Sequence, residues 1–282
     1  KTQWIDARSY IQTDNNYREG HVNWEKSCAA IQNKLPEILE HQFILTQGFI
    51  GGTSENFSTT LGREGSDYSA AIFASCLKAE SVTIWKDVPG VLNADPKLFT
   101  NTRKYHELPY SEALEMTYYG ATIIHPKTIK PLQNANIPLL VKPFLAPEEA
   151  GTRINTYALV STEHPAIIVK KNQVLASISA KDFSFITEDH LSEIFKVFAD
   201  IRVKMNMMQI SALSFSVCFD HDDQKFSKLL SHLQESFKVK YNTDLELITI
   251  RYFKRETIQE LSENKTVLLE QLSRNTAQLV LK

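Results

Sequence analysis

Short apolar runs alternate with polar, glycine-bearing loops through the first half of the chain. Three runs have the length and the β-branched or aromatic content of strands: residues 43–46, 81–85 and 139–142. The first is expected to be buried. A helical pattern over residues 66–79 separates the first two runs, formed by Ala70, Ala71, Ala74 and Leu77. This order of strands and helices predicts an α/β fold.

Other helices are marked by their ends. A helix is predicted over residues 24–40, and Pro36 is expected to bend or restart it. Another is predicted over residues 112–119, with Ser111 as N-cap and a glycine as C-terminal stop. His125 precedes Pro126, which suits the first turn of a helix, so His125 is expected to be structural.

The second half of the chain has a different pattern. Strands are predicted over residues 174–179, 203–211, 213–219 and 245–252. Two apolar helical faces separate them, one with Leu191, Ile194, Phe195, Phe198 and Ile201, the other with Phe226, Leu229, Leu230 and Leu233. The resulting βαββαβ order predicts a ferredoxin-like α+β fold.

Composition excludes several classes of function. The chain has 282 residues, 43% of them hydrophobic and 23% charged, which is ordinary for a globular protein of two domains. A net charge of −2 does not indicate binding to nucleic acid or to an anionic membrane. No apolar run approaches the roughly 20 residues of a membrane span. Three widely spaced cysteines predict reduced core residues, neither a metal site nor a disulfide framework.

The stretch of residues 48–90 carries the candidate chemistry. Arg63, Ser66 and Asp67 stand between glycines at the start of the helical pattern. An arginine can clamp a carboxylate with two parallel hydrogen bonds. The free N–H groups of a helix start suit an anion, and Asp67 could order a phosphate site directly or through Mg²⁺. The alternative for this stretch alone is a solvated turn in which Ser66 is only an N-cap.

Several consecutive motifs resemble the second half of the catalytic domain of aspartate kinases, which belong to the amino acid kinase family. They are Gly48-Phe49-Ile50-Gly51, Thr60-Leu61-Gly62-Arg63-Glu64-Gly65-Ser66-Asp67-Tyr68, Trp85-Lys86-Asp87-Val88-Pro89-Gly90-Val91, Ala94-Asp95-Pro96-Lys97, Tyr119-Gly120-Ala121 and His125-Pro126. The match runs from about residue 6 to residue 154. Glutamate 5-kinases and carbamate kinases share the glycine loops less completely.

The resemblance implies part of a three-layer αβα kinase domain over residues 1–157, followed by ferredoxin-like ACT regulatory units over residues 158–282. An inner ACT unit of about residues 173–244 would be inserted in a reduced outer unit of residues 164–172 and 245–282. The outer unit is expected to lack its last helix and strand. The family's opening Lys-Phe-Gly-Gly-Thr-Ser loop does not occur here, so we expect roughly half of a kinase domain to be missing and the chain alone to be inactive.

For activity, the resemblance implies transfer of a phosphoryl group from ATP, with Mg²⁺, to L-aspartate, the first step of lysine, threonine and methionine biosynthesis. It implies that Arg63 binds the substrate and that Ser66 and Asp67 are catalytic, while no protein metal site is expected. The nucleotide would lie against Lys86, Asp87, Leu92, Lys97, Thr122 and Ile123. Relatives often carry threonine, tyrosine, arginine and lysine where Lys86, Leu92, Lys97 and Thr122 stand here.

Regulation by an amino acid effector is also implied, in a cytoplasmic homo-oligomer that pairs through its ACT units. Residues 181–188 and the strand with Asn206, Gln209 and Ser211 would contact lysine or threonine. Lysine-inhibited relatives have aspartate in place of Asn206. Because asparagine brings no charge, this residue favours threonine as the effector, or an unregulated form, over lysine. Three nearby methionines are expected to pack in the core or at a dimer seam.

Two other functions stay open on the sequence alone. The chain could be a non-catalytic amino-acid sensor on a degenerate kinase platform. It could also be part of a bifunctional aspartate kinase–homoserine dehydrogenase, since the absence of a Gly-x-Gly-x-x-Gly loop here decides nothing about further domains.

Overall fold

The computed structural model describes residues 1–122, 124–160 and 162–282. The chain forms two compact units, Lys1–Ser161 and Thr162–Lys282.

The first unit mixes strands and helices along the chain. Its strands are β1 (Thr2–Ile5), β2 (Phe43–Thr46), β3 (Ile50–Gly52), β4 (Ser58–Thr60), β5 (Val82–Lys86), β6 (Glu107–Pro109), β7 (Leu139–Pro143) and β8 (Thr152–Asn155). Its helices are α1 (Trp24–Leu39), α2 (Gly65–Leu77), α3 (Tyr110–Tyr119) and α4 (Pro126–Ala135), with a 3₁₀ turn at Ala7–Ser9. The predicted α/β fold of this half is confirmed.

Three small sheets organise this unit. β1 and β2 pair in parallel, β3 and β4 form an antiparallel pair, and four strands follow the order β5-β7-β8-β6. One core packs α1 and α2 over the first sheet and contains Ile5, Ile11, Ile31, Leu35, Leu61, Ile72 and Cys76. These layers fix where α2 begins, relative to the loops that follow β2 and β4.

Strand β2 is present as predicted, but its expected burial is wrong. Phe43 is 77% exposed and Leu45 is 58% exposed. Only alternate residues of β2 face the helices, and Ile44 packs into their core. Trp4 of β1 is exposed as well, at 59%, so the other face of this parallel pair is open to solvent among the described residues.

The helix ends differ in detail from their predictions. The side chain of Asn23 caps α1 by accepting from the backbone N–H of Lys26, and Pro36 lies in the last turn of one continuous helix. α3 begins at Tyr110 with Pro109 as N-cap, so Ser111 lies inside the helix and does not cap it. The extended backbone of Pro109 (φ −71°, ψ 150°) supplies the non-helical conformation that an N-cap requires.

The expectation of three reduced cysteines is wrong. Cys28 of α1 and Cys76 of α2 form a disulfide, because the packing of the two helices brings their Cα atoms to 4.9 Å. Cys218 is free and buried, and burial raises the pKa of its thiol to about 12.

The second unit has six strands and three helices among its described residues. The strands are β9 (Ala166–Ala180), β10 (Met205–Ile210), β11 (Phe215–Asp220), β12 (Phe237–Arg251), β13 (Val267–Leu272) and β14 (Thr276–Leu281). The helices are α5 (Glu188–Ile201), α6 (Asp223–Ser236) and α7 (Arg255–Ser262).

One antiparallel sheet carries this unit, in the order β10-β11-β9-β12-β14-β13. The predicted βαββαβ order is present as β9-α5-β10-β11-α6-β12, and its four strands lie side by side in the ferredoxin-like order. α5 and α6 cover one face through a core that includes Val174, Ile178, Phe198, Phe215, Phe219, Leu229 and Leu233.

Two features of this unit differ from the sequence prediction. β9 begins eight residues before the strand predicted at residues 174–179, and β12 begins eight residues before the strand predicted at residues 245–252. A residue of left-handed backbone interrupts each long strand, Asn172 (φ 55°) and Asp244 (φ 58°). α7 is an additional helix that the apolar pattern does not indicate, and it packs beside β12 and β14 through Ile258 and Leu261.

Candidate functional site

The loop after β2 passes directly against the first turn of α2. A Cβ atom on Gly48 would lie 2.9 Å from the Cα atom of Ser66, so only glycine fits there. The backbone N–H of Phe49 donates to Oγ of Ser69 at 2.9 Å, and that hydroxyl donates to the carbonyl of Gly65 at 3.0 Å. Buried Ser69 therefore ties the loop to the helix start, a role that its sequence position does not reveal.

The turn before α2 projects the arginine. Gly62 has φ +80°, and Glu64, the N-cap residue, has a left-handed backbone (φ 54°, ψ 32°). Arg63 between them is exposed and, among the described residues, its side chain has no ion pair. Ser66 is exposed inside the first turn, so its interpretation as a simple N-cap is wrong. A free guanidinium next to a helix N-terminus is suited to an anionic ligand.

Asp67 and Lys86 join α2 to the end of β5. Nζ of Lys86 donates to Oδ2 of Asp67 at 2.8 Å, and the two side chains are 25% and 18% exposed. The ammonium is thus held at the carboxyl end of a parallel strand, the edge of an α/β sheet where ligands bind. Asp87 follows immediately and is exposed.

The loop after β5 is anchored to β8. The N–H of Val91 donates to Oγ1 of Thr152 at 2.9 Å, and Gly90 (φ +147°) lies so close to Thr152 that a Cβ atom would clash. Leu92 is only 9% exposed, so it offers little apolar surface to a ligand. Lys97 is exposed, and its backbone N–H donates to Asp95.

The last predicted nucleotide segment is described in part. Thr122 is exposed. Ile123 lies outside the described residues.

A second group of charges lies around the start of α4. Nζ of Lys127 is 2.5 Å from Oε1 of Glu19. His125 caps α4, and its Nδ1 accepts from the N–H of Lys127 at 3.2 Å, which confirms its structural role. Burial lowers the pKa of His125, and the charges of Glu64 and Arg63 act on it with opposite signs.

Glu64 combines two unfavourable features. Its Oε2 atom is buried and, within the described part of the chain, has no hydrogen-bond partner. Its left-handed backbone is also costly for a residue with a side chain. The glycines on either side of Arg63 indicate a turn, but they do not indicate this orphan carboxylate oxygen.

In the second unit, Asn206 belongs to a polar network on the sheet. Its Oδ1 accepts from Nζ of Lys170 at 2.9 Å, and its Nδ2 donates to Gln173 at 2.9 Å and Asp220 at 3.0 Å. Burial lowers the pKa of Lys170, and Asp220 opposes the shift. The amide of Asn206 is therefore satisfied within the chain.

The two other candidate effector residues lie outside that network. Gln209 and Ser211 are both exposed. Ser211 hydrogen-bonds to Ser214 in the turn after β10. The three methionines of β10 differ in burial. Met207 is buried and Met205 is partly buried against the core, whereas Met208 is 41% exposed.

Two kinds of feature are absent from residues 1–122, 124–160 and 162–282. No cluster of three or more histidine, cysteine or acidic side chains could hold a metal ion. No helix there combines the length and the apolar character needed to cross a membrane.

Comparisons with solved structures match this architecture. Aspartokinase III of E. coli, solved in complex with aspartate and ADP, aligns with all of this chain at a TM-score of 0.82 and 24% identity, over 66% of its own length. The aspartate kinase of Clostridium acetobutylicum aligns with 99% of this chain at a TM-score of 0.82 and 21% identity, over 67% of its length.

Sequence comparisons also identify aspartokinases as relatives. Lysine-sensitive aspartokinase 3 of Escherichia coli is 32% identical over 226 residues, covering 78% of this chain and 49% of the relative. The chloroplastic bifunctional aspartokinase/homoserine dehydrogenase 2 of Arabidopsis thaliana is 30% identical over 249 residues, covering 83% of this chain and 26% of the relative. The chain thus spans about half the first relative and a quarter of the second. The profile of the amino acid kinase family matches residues 5–143, and this segment therefore belongs to that family, in a chain that is homologous to the aspartokinases.

Proposed function

We propose that this chain supplies the second half of an aspartokinase catalytic domain, within residues 1–157, and an ACT regulatory region, within residues 158–282. The activity is ATP-dependent phosphorylation of the side-chain carboxylate of L-aspartate to 4-phospho-L-aspartate. The observation that carries the proposal is the Asp67–Lys86 ion pair beside the start of α2, with Arg63 in the adjacent turn exposed and without an ion pair to any described residue.

The substrate would be held by charge. The Arg63 guanidinium suits a bidentate interaction with the α-carboxylate of aspartate. Asp67 positions the Lys86 ammonium, and Ser66 offers a hydroxyl in the first turn of α2. A carboxylate needs no general base to attack phosphorus, so these residues act by positioning and by neutralising charge.

The nucleotide is proposed to lie at the carboxyl end of β5. The E. coli relative was solved with aspartate and ADP. In this chain Asp87, Lys97 and Thr122 are exposed and would contact the nucleotide, whereas Leu92 is only 9% exposed and would contribute little. Ile123, in the same proposed set, lies outside the described residues.

Magnesium fits this site only as a companion of the nucleotide. The described residues hold no acidic cluster for a protein-bound metal, and Asp67 is already paired with Lys86. Mg²⁺ commonly takes most of its ligands from phosphate and water, with one or two carboxylates. Exposed Asp87 could serve as such a carboxylate, and Mg²⁺ would supply further neutralisation of phosphate charge.

Regulation is proposed to reside in the second unit, as an inner ACT unit of about residues 173–244 inserted in an outer one of residues 164–172 and 245–282. A relative was solved with lysine and aspartate. Lysine or threonine would contact Gln209 and Ser211 here, and Asn206 would have to leave Lys170 to contribute. We also propose a cytoplasmic homo-oligomer with pairing through the ACT units.

The test is aspartate-dependent ADP release from ATP and Mg²⁺. We expect no release by the 282-residue chain, and release when the first half of a related aspartokinase catalytic domain is fused before it. In that fusion, Arg63→Ala should raise the KM for aspartate at least tenfold, and Arg274→Ala, at an exposed position of the second unit, is the control. A normal KM with Arg63→Ala would remove that residue's proposed role.

A non-catalytic amino-acid sensor is the competing function, and the ferredoxin-like strand order of the second unit is the observation that supports it. The sensor function would be supported if the fusion bound lysine or threonine saturably, released no ADP, and bound neither ADP nor aspartate. Part of a bifunctional aspartokinase/homoserine dehydrogenase is a further alternative, because such proteins are among the relatives.

A further inference from the structure

Two opposite charges face each other in register on neighbouring strands of the first unit. Glu107 of β6 and Arg153 of β8 are direct partners in a parallel pair. Their neighbours Leu108 and Ile154 are buried on the helix-covered face, so the two charged side chains share the other face. Both are exposed, and neither forms an ion pair within the described part of the chain.

Both side chains line an open surface pocket, called the cavity below, with a volume of about 300 Å³ and with Asn136, Asn155, Thr156 and Tyr157 also in its lining. Its far wall is a hydrogen-bonded set: Asn136 donates to the Tyr157 hydroxyl at 3.0 Å and accepts from the Thr156 hydroxyl at 2.6 Å. Oδ1 of Asn155 accepts from the backbone N–H groups of Tyr157 and Ala158 at 2.8 and 2.7 Å. The wall is therefore ordered before any ligand arrives, which lowers the entropic cost of binding.

This cavity is separate from the candidate kinase site. Ile154 of β8 pairs with Leu139, the first residue of β7, in antiparallel register. Leu139 pairs in turn with Val82, the first residue of β5. The cavity thus lies at the end of the sheet that contains the first residue of β5. Lys86 is the last residue of β5 and lies at the opposite end of the sheet.

The paired charges select the class of ligand. A simple anion would meet the Glu107 carboxylate beside the arginine, and a simple cation would meet Arg153 beside the glutamate. A small molecule that carries an ammonium and a carboxylate on one carbon satisfies both groups, because guanidinium binds carboxylate bidentately and carboxylate accepts from ammonium. The amide and hydroxyl groups of the far wall suit an uncharged polar side chain.

We propose that this cavity binds free α-amino acids with uncharged polar side chains, through Arg153 at the α-carboxylate and Glu107 at the α-ammonium. The site goes beyond the proposed kinase function and does not depend on it. Its volume is at the lower end of the range for small-molecule sites.

The test is calorimetric titration of the 282-residue chain with L-serine, L-asparagine and L-glutamine. We expect saturable binding of at least one, weakened at least tenfold by Arg153→Gln and by Glu107→Gln, and unchanged in Arg274→Gln. The N-acetyl and α-amide derivatives of the bound amino acid each lack one charge and should compete at least tenfold more weakly. Because both side chains are exposed, the variants should keep the wild-type circular dichroism spectrum.

Three results would overturn the proposal. One is the lack of saturable binding by all three amino acids. Another is binding that neither variant weakens. The third is binding lost in Arg63→Ala instead, which would assign the ligand to the candidate kinase site and leave the proposed kinase function intact.

Discussion

Nζ of Lys86, at the end of β5, donates to Oδ2 of Asp67, in the first turn of α2, at 2.8 Å. Nineteen residues of chain separate them, and the pair fixes a cation at the edge of the sheet beside a helix N-terminus. The carboxylate holds the ammonium in place while the helix start adds its own partial positive charge. This arrangement is suited to polyphosphate, which leads to the first prediction.

Lys86→Met should weaken ADP binding to the chain by roughly tenfold to a hundredfold, since a hydrogen bond to a charged group contributes about 1.5–3 kcal/mol. Isothermal titration with Mg²⁺ and ADP measures the change. Lys34→Met, at an exposed position of α1, is the matched control and should bind as the wild type does. Equal affinities in the two variants would contradict a nucleotide role for Lys86.

His125 makes the stability of the first unit depend on pH. Burial lowers the pKa of its imidazole from 6.5; Lys127 and Arg63 lower it further, and Glu64 and Glu19 oppose them. The folded protein therefore favours the neutral ring, whose Nδ1 caps α4. Stability from this group is present above pH 6.5 and is lost as the pH falls through the lowered pKa.

His125→Asn should keep a capping acceptor and remove the titration, because asparagine is a favourable N-cap residue. Chemical denaturation at pH 7.5 and pH 5 measures the loss of stability on acidification in each protein. We expect a smaller loss in His125→Asn than in the wild type. His41→Asn, at an exposed histidine, is the control. Equal losses in the wild type and His125→Asn would show that the titration of His125 contributes nothing.

The Cys28–Cys76 disulfide closes a loop of 48 residues between α1 and α2. In the chain-entropy account, a loop of this length stabilises the folded state by about 4 kcal/mol. Reductant should therefore lower the Tm of the first unit by roughly 10 °C, given the size of the unit. The double variant Cys28→Ser/Cys76→Ser should melt near the reduced wild type and show no response to reductant.

Counting thiols checks the same prediction independently. Intact mass after alkylation without reductant should show one modified cysteine, Cys218, once the chain is unfolded. Three modified cysteines in the protein as purified would mean that the bond does not form.

The local chemistry of the site was accessible from the sequence, whereas contacts across the fold were not. Gly48 and the glycines around Arg63 mark close approach and turns, and the apolar run before Lys86 marks a strand end, so the placement of these residues could be predicted. Cys28 and Cys76 meet only because two helices pack side by side, which spacing along the chain does not encode. Phe43 and Leu45 show the same limit, because apolar residues favour a strand without specifying what covers it.

Helix α7 and the contacts of Asn206 could not be predicted from the pattern of apolar residues either. The α7 segment, residues 255–262, is mostly polar, and its few apolar residues give no pattern long enough to indicate a helix. The position of Asn206 in its strand predicts a contact with an effector. In the folded protein, however, its side-chain Oδ1 accepts a hydrogen bond from Nζ of Lys170. Whether that oxygen accepts from an effector or from the chain itself depends on tertiary geometry.

Glu64 gives the last prediction, because it holds a left-handed backbone at φ 54° and a buried carboxylate oxygen without a hydrogen-bond partner in the described residues. A left-handed conformation costs a residue with a Cβ atom about 1–2 kcal/mol, a cost that glycine avoids. Glu64→Gly should therefore raise the free energy of unfolding by about 1 kcal/mol, after the greater freedom of glycine in the unfolded chain is subtracted.

Glu64→Ala separates the two causes, since it removes the carboxylate and keeps the Cβ atom. If backbone strain dominates, the glycine variant will be more stable than the alanine variant by about 1 kcal/mol in urea denaturation. If the orphan oxygen dominates, both variants will be stabilised equally. A glycine variant less stable than the wild type would instead show that Glu64 makes a favourable interaction in solution, and the neighbouring Arg63 and His125 would then be the groups to test against it.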